Sequence, residues 1–197
     1  MKLKSIIILL LSITIVSCSE KLKSLDDTAI EVSAVNGEEL SFSKNIEFEH
    51  RRYFIATGGY GSIRYLCIRL SMNSQLLGKI DDEIEGSIYE TMTGDLNGNS
   101  KPEIMLLCIN NSYKGFVDIV GYEFDGKIFR RYDLPPLDSD LAYGYGGNDH
   151  FYISKSKLIR EFPILNTQPK AKRKITYSLN KNLEFSIEKF DEIKYLE

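Results

Sequence analysis

Residues 95–103 read Asp-Leu-Asn-Gly-Asn-Ser-Lys-Pro-Glu, and their types and spacing come closest to a chemical pattern in this chain. Asp95, Asn97, Asn99, the Lys101 carbonyl and Glu103 fall at positions 1, 3, 5, 7 and 9 of this loop. Oxygen ligands alternating in this way can wrap calcium. Only Asp95 and Glu103 bring a carboxylate, so affinity would be weak, roughly 10⁻⁴ to 10⁻³ M as in extracellular modules. The same residues also make a plain turn, in which Asp and Asn side chains bond their own backbone and Gly98 takes positive φ. The turn is the favoured reading: no cofactor is required, and weak calcium binding through Asp95, Asn97, Asn99 and Glu103 is the alternative.

A second polar tip follows an apolar run over residues 104–109. It contains Asn110, Asn111, Ser112, Tyr113, Lys114 and Gly115. Tyr brings a large contact area and a polar end while losing little side-chain entropy, and Ser beside it is a compact donor and acceptor. A strand of fixed length between two turns suits recognition better than acid–base chemistry. His50 and His150 lie far apart, and no Ser-His-Asp, Cys-His, HExxH or Gly-rich phosphate pattern is present. None of the 28 acids stands out as half of a catalytic pair. The expectation is a protein that is not an enzyme.

The N-terminus addresses the chain. Lys2 and Lys4 precede an apolar stretch over residues 6–16, which is too short to span a bilayer and reads as a signal-peptide core. Ile15-Val16-Ser17-Cys18 ends it and resembles the lipobox of bacterial lipoproteins, in which the Cys is acylated. Residues 1–17 are then a signal peptide, 18–27 the lipidated Cys18 and a polar tether, and 28–197 a single β domain. Ser19 after the Cys favours the outer membrane, by likeness to enteric sorting. The expected location is the bacterial cell envelope, lipid-anchored and periplasmic or surface-facing. Losing residues 1–17 removes two lysines and no acids, so the net charge goes from -3 to -5. An acidic domain argues against nucleic acid and fits a basic partner. Cys67 and Cys108 remain; a disulfide between them and two buried thiols are both open.

Period-two alternation runs through most of the remainder. It marks strands at residues 30–34, 40–42, 46–49, 62–71, 117–124, 128–134, 151–153, 158–162, 175–179 and 183–187. Asn36-Gly37 and Asp125-Gly126 are hairpin signals. Residues 75–85 are the single helix candidate, weakened by Gly78, and 137–149 form a longer loop rich in Asp, Gly and Tyr. The fold class is mainly β: an antiparallel β-sandwich or open barrel of about 8–10 short strands.

Several short strings line up, in order, with one family. Residues 62–70, the 95–103 loop, Ser112-Tyr113 with Gly115, Leu134-Pro135-Pro136-Leu137, Gly147 with Asp149 and Phe151, and Arg160 with Phe162-Pro163 resemble the periplasmic inhibitors of I-type (invertebrate-type) lysozymes. Asn148 stands where that family usually has His, and Lys114 lies inserted before Gly115. The resemblance implies a β-protein that blocks a lysozyme cleft and so protects peptidoglycan, with the partner-binding residues Asn111, Ser112, Tyr113, Gly115 and Asp149. The alternative is a non-catalytic, calcium-stabilised surface or periplasmic lipoprotein with another binding role.

Overall fold

The computed structural model describes residues 34–109 and 115–195. The leader, Cys18, the tether, and Asn111, Ser112 and Tyr113 of the expected partner-binding set lie outside the described residues.

The chain forms three antiparallel sheets, each a simple meander. The first holds β1 (Ala34–Val35), β2 (Glu38–Phe48), β3 (Arg51–Gly58), β4 (Ile63–Met72) and β5 (Gln75–Glu85). The second holds β6 (Ser87–Gly94), β7 (Glu103–Ile109), β8 (Val117–Phe124) and β9 (Phe129–Asp133). A one-turn helix, α1 (Ser139–Ala142), precedes the third, made of β10 (His150–Ser154), β11 (Lys157–Ile164), β12 (Ala171–Leu179) and β13 (Phe185–Lys194). No helix among the described residues is long and apolar enough to cross a membrane.

Short turns set the registers. Asn36 and Gly37 both take positive φ, 50° and 79°, as a two-residue hairpin requires for its twist to match the flanking strands. Asn73 with Ser74 and Lys155 with Ser156 do the same without glycine. The Asn73-Ser74 turn explains a correction. Residues 75–85 are not a helix; they are β5, paired along β4 from Met72↔Gln75 to Ile63↔Glu85. Gly78 belongs there because the Phe124 ring lies on its backbone, and a Cβ would sit 2.4 Å from the ring.

The middle sheet is buried on both faces. Ile104, Leu106, Cys108, Val120 and Tyr122 pack with Tyr53, Ile55, Leu66, Ile68 and Leu70 of the first sheet. Met105, Leu107, Ile119 and Tyr132 pack with Leu158, Phe162, Ile175 and Tyr177 of the third. Residues 104–109 are therefore apolar without alternation, as a strand covered on both sides must be. The fold is mainly β, an antiparallel sandwich with one sheet between two others. Cys67 and Cys108 are buried thiols in different clusters, and burial pushes the Cys108 thiol up to about 12.

Candidate partner-binding site

The two polar segments singled out in the sequence flank β7, one before its first residue and one after its last. The first is built on itself. The Asn99 N–H donates to Asp95 Oδ1 (3.1 Å) and the Ser100 N–H to Asp95 Oδ2 (2.9 Å). Asn97 Oδ1 also accepts from the Asn99 N–H (3.1 Å), and Asn99 Oδ1 accepts from the Lys101 N–H (2.8 Å). Gly98 has φ 69°, as a turn of this kind asks.

The amide nitrogens of Asn97 and Asn99 turn the other way. Both donate to Glu123 Oε2, at 2.8 and 2.7 Å. Glu123 lies directly across the ladder from Glu103, which accepts the Leu96 N–H at 2.7 Å. Glu103 is 0% exposed and Glu123 2%. Two carboxyls so placed cannot both ionise cheaply. Burial, set against the pull of the Leu96 N–H and reinforced by the Glu123 carboxylate, pushes Glu103 up to about 8. Oε1 of Glu103 has no N–H or O–H donor from another residue, so a proton on Glu103 supplies the hydrogen bond with Glu123. The acid pair is thus a clamp: Leu96 is tied to one carboxyl and both asparagines to the other. Glu123 is a member that sequence reading missed. Its one signal was a charge on the inward side of the alternating β8.

This geometry bears on calcium. The side-chain oxygens of Asp95, Asn97 and Asn99 are engaged with loop N–H groups, and Glu103 lies beneath the loop. No group of three or more His, Cys, Asp or Glu among the described residues is placed to hold a metal ion. The melting temperature is therefore expected to be the same in millimolar calcium and in excess chelator; a rise of several degrees with calcium would establish the alternative reading.

The second segment is anchored from below at its far end. Gly115 O accepts the Asn148 N–H at 2.6 Å. Gly147 has φ 81°, and a Cβ there would lie 2.5 Å from Gly115 O, so only glycine lets the two loops touch. Phe116 then packs edge-on against Tyr145, ring centroids 5.2 Å apart, and Tyr145 against Phe162 at 4.7 Å. Under these rings runs a buried ion pair. Arg160 Nε donates to Asp149 Oδ1 at 2.6 Å, with side chains 6% and 0% exposed. The Tyr145 hydroxyl donates to Asp149 Oδ2 and accepts from Arg160 at 2.7 Å. The guanidinium also faces the rings of Tyr145, Phe151 and Phe162, at 4.9, 5.4 and 5.5 Å. Burial and the bond to Asp149 raise the Tyr145 hydroxyl above its ordinary range, so it stays protonated as a donor.

Of the expected partner-binding residues, Gly115 and Asp149 are described and come together, joined through Gly147 and Asn148. The Asp149 carboxylate is covered and bound to Arg160 and Tyr145, so its side chain holds the platform. Arg160, Tyr145 and Phe116 complete that platform. Arg160 was readable as a charge between Leu158 and Phe162 on the inward face of β11; Tyr145 had no local mark among the many tyrosines. Changing Gly147 to Ala is expected to cost about 2 kcal/mol, combining strained φ with a backbone clash. Chemical denaturation of the variant measures it, and an unchanged midpoint would mean the two loops are not held together this way.

Comparison with protein-family models, with curated proteins and with solved structures finds no match to this chain.

Proposed function

We propose that this protein is a proteinaceous lysozyme inhibitor, held by lipid on Cys18 in the bacterial cell envelope, at the outer membrane and facing the periplasm or the surface. Its target is an I-type lysozyme, and it performs no reaction itself. The hydroxyls of Ser112 and Tyr113 enter the enzyme's cleft, where two carboxylates cleave the glycan. Hydrogen bonds to a charged acceptor are worth roughly 1.5–3 kcal/mol each, and the filled cleft excludes peptidoglycan. A net charge of -5 on the domain attracts a basic enzyme and raises the on-rate.

One observation supports this reading most. Gly115 lies over thirty residues before the hairpin that carries Gly147, Asp149, Phe151, Arg160 and Phe162, yet all of them make one continuous platform. Gly115, which this platform holds, follows Ser112 and Tyr113 by two residues in the sequence.

The test mixes the chain from Ser19 onward with lysozymes of the three animal classes and follows cell-wall lysis against its concentration. Inhibition of the I-type enzyme is expected; no inhibition of any class sinks the proposal. Tyr113→Ala is expected to weaken inhibition by about 2 kcal/mol, roughly 30-fold, as for an interface anchor. Equal inhibition by the variant would remove this tip from the mechanism.

A further inference from the structure

Between the ends of the first and second sheets lies an open groove of about 270 Å³. Arg51 opens β3 and Met72 closes β4, and the two are paired across that ladder. They line the groove together with Leu70, Leu77 of β5 and Phe124 of β8. Lys101, from the loop before β7, lines it as well. The floor belongs to the core: Leu70 is buried, and Leu77 and Phe124 pack against the cluster between the two sheets. Met72 is 38% exposed and leaves that floor open to solvent. Lys101 precedes β7 and Gly115 follows it, so a strand roughly 20 Å long separates this groove from the platform.

Charge selects the occupant. The lining holds two cations and no carboxylate, in a chain whose net charge is -3. Neither cation is in an ion pair among the described residues. Lys101 Nζ donates to the Asp125 carbonyl at 2.8 Å, which fixes the ammonium without cancelling its charge. The Asp125 carboxylate turns back instead, and its Oδ1 accepts the Lys127 and Ile128 N–H groups at 2.8 and 3.0 Å. We propose that this groove binds a small anionic amphiphile, its apolar body on Leu70, Leu77 and Phe124 and its carboxylate or phosphate head on Arg51 and Lys101. Arg offers a planar fork that meets such a head with two parallel bonds, and Lys adds a compact charge. The volume falls just below the ~300–1,000 Å³ of drug-sized sites, which limits the body to a chain of about eight carbons. Met72 has the flexible stem that lets a groove wall fit such a chain.

The test is calorimetric titration of the full chain in a non-ionic detergent, with each ligand also titrated into detergent alone as the blank. Octanoate and octyl phosphate carry the two heads, and octylamine carries the opposite charge on the same body. Saturable binding of at least one anion is expected, with a dissociation constant of about 1 mM or tighter, as suits so small a ligand. The tighter of the two assigns the head as carboxylate or phosphate. Octylamine should bind at least roughly tenfold more weakly, since both cations repel it. Arg51→Met and Lys101→Met keep the stems and remove the charges; each should weaken the anion by roughly tenfold, as loss of a bond to a charged group implies. Lys101→Arg should keep the affinity within about twofold, because it keeps the charge. Thermal melts show that each variant is folded, and the octylamine comparison stands even where one is not. No saturable binding of either anion up to about 10 mM overturns the proposal, whether the groove is idle or another segment of the chain covers it. So does equal binding of octylamine, or an affinity that neither Met variant moves. This outcome is independent of lysozyme inhibition.

Discussion

Arg160→Met is expected to lower the unfolding free energy by about 3–5 kcal/mol, more than Gly147→Ala or the loss of the Glu103 proton. Met keeps the length of the stem and removes the charge. The Asp149 carboxylate is then left covered, with the Tyr145 hydroxyl still donating to it but no guanidinium beside it. A buried charge without its counter-charge costs far more than a missing contact. For a domain of this size the midpoint should fall by roughly 6–20 °C. The double variant Asp149→Asn/Arg160→Met removes both charges at once and should lose less than Arg160→Met alone. A thermal melt of the three proteins decides it. If the single variant melts like wild type, the pair does not hold the platform. Under the proposed function, the single variant should also inhibit lysozyme less well where it is still folded, because Tyr145, Phe116 and Gly115 stand on this pair.

The second large effect is one of pH. Glu103 is held up to about 8 in the folded protein, against an ordinary value of 4.5. Between those values the folded chain keeps a proton that the unfolded chain has released. Stability is therefore fully present below about pH 4.5 and falls as pH rises towards 8. Above 8 no more is lost from this group. At 1.36 kcal/mol per pH unit the unscreened loss would be about 4–5 kcal/mol. Solvent screening and relaxation bring the expected loss to about 2–3 kcal/mol. Glu103→Gln should abolish it. The Gln oxygen still accepts the Leu96 N–H, and its amide donates to Glu123 as the protonated acid does. The variant should match wild type near pH 5 and melt roughly 4–12 °C higher near pH 9. Parallel melts across that range test this; superimposable curves would rule out a shared proton.

Much of the fold was legible because its signals are local. Residues 62–71, 117–124 and 128–134 alternate, and Asn36-Gly37 and Asp125-Gly126 announce their turns. Other parts were hidden for stated reasons. Strand β3 is covered at every position from Tyr53 to Gly58, so it has no polar phase to betray a period. The bulge between Ile88 and Glu90 breaks the alternation of β6. In β5, a turn without glycine and a Gly under the Phe124 ring disguise a strand as a poor helix. The site was legible in part. The Asp95 loop reads as a turn whose side chains bond its own backbone, and the hydrogen bonds found there are of that kind.

Taken alone, the order of residues established a mainly β chain, its principal hairpins, and two polar segments bracketing one apolar strand. Those follow from periods of two and from turn residues, which act over a few positions. Only the tertiary structure decided that Glu103 faces Glu123, that Asp149 is an internal counter-ion, that Tyr145 bridges it to Gly115, and that Arg51 and Lys101 line one groove. Each of these depends on which strands become neighbours. A carboxyl pair, a buried charge and a shared groove exist only once distant segments have met, and nothing within a few residues of any of them specifies that meeting.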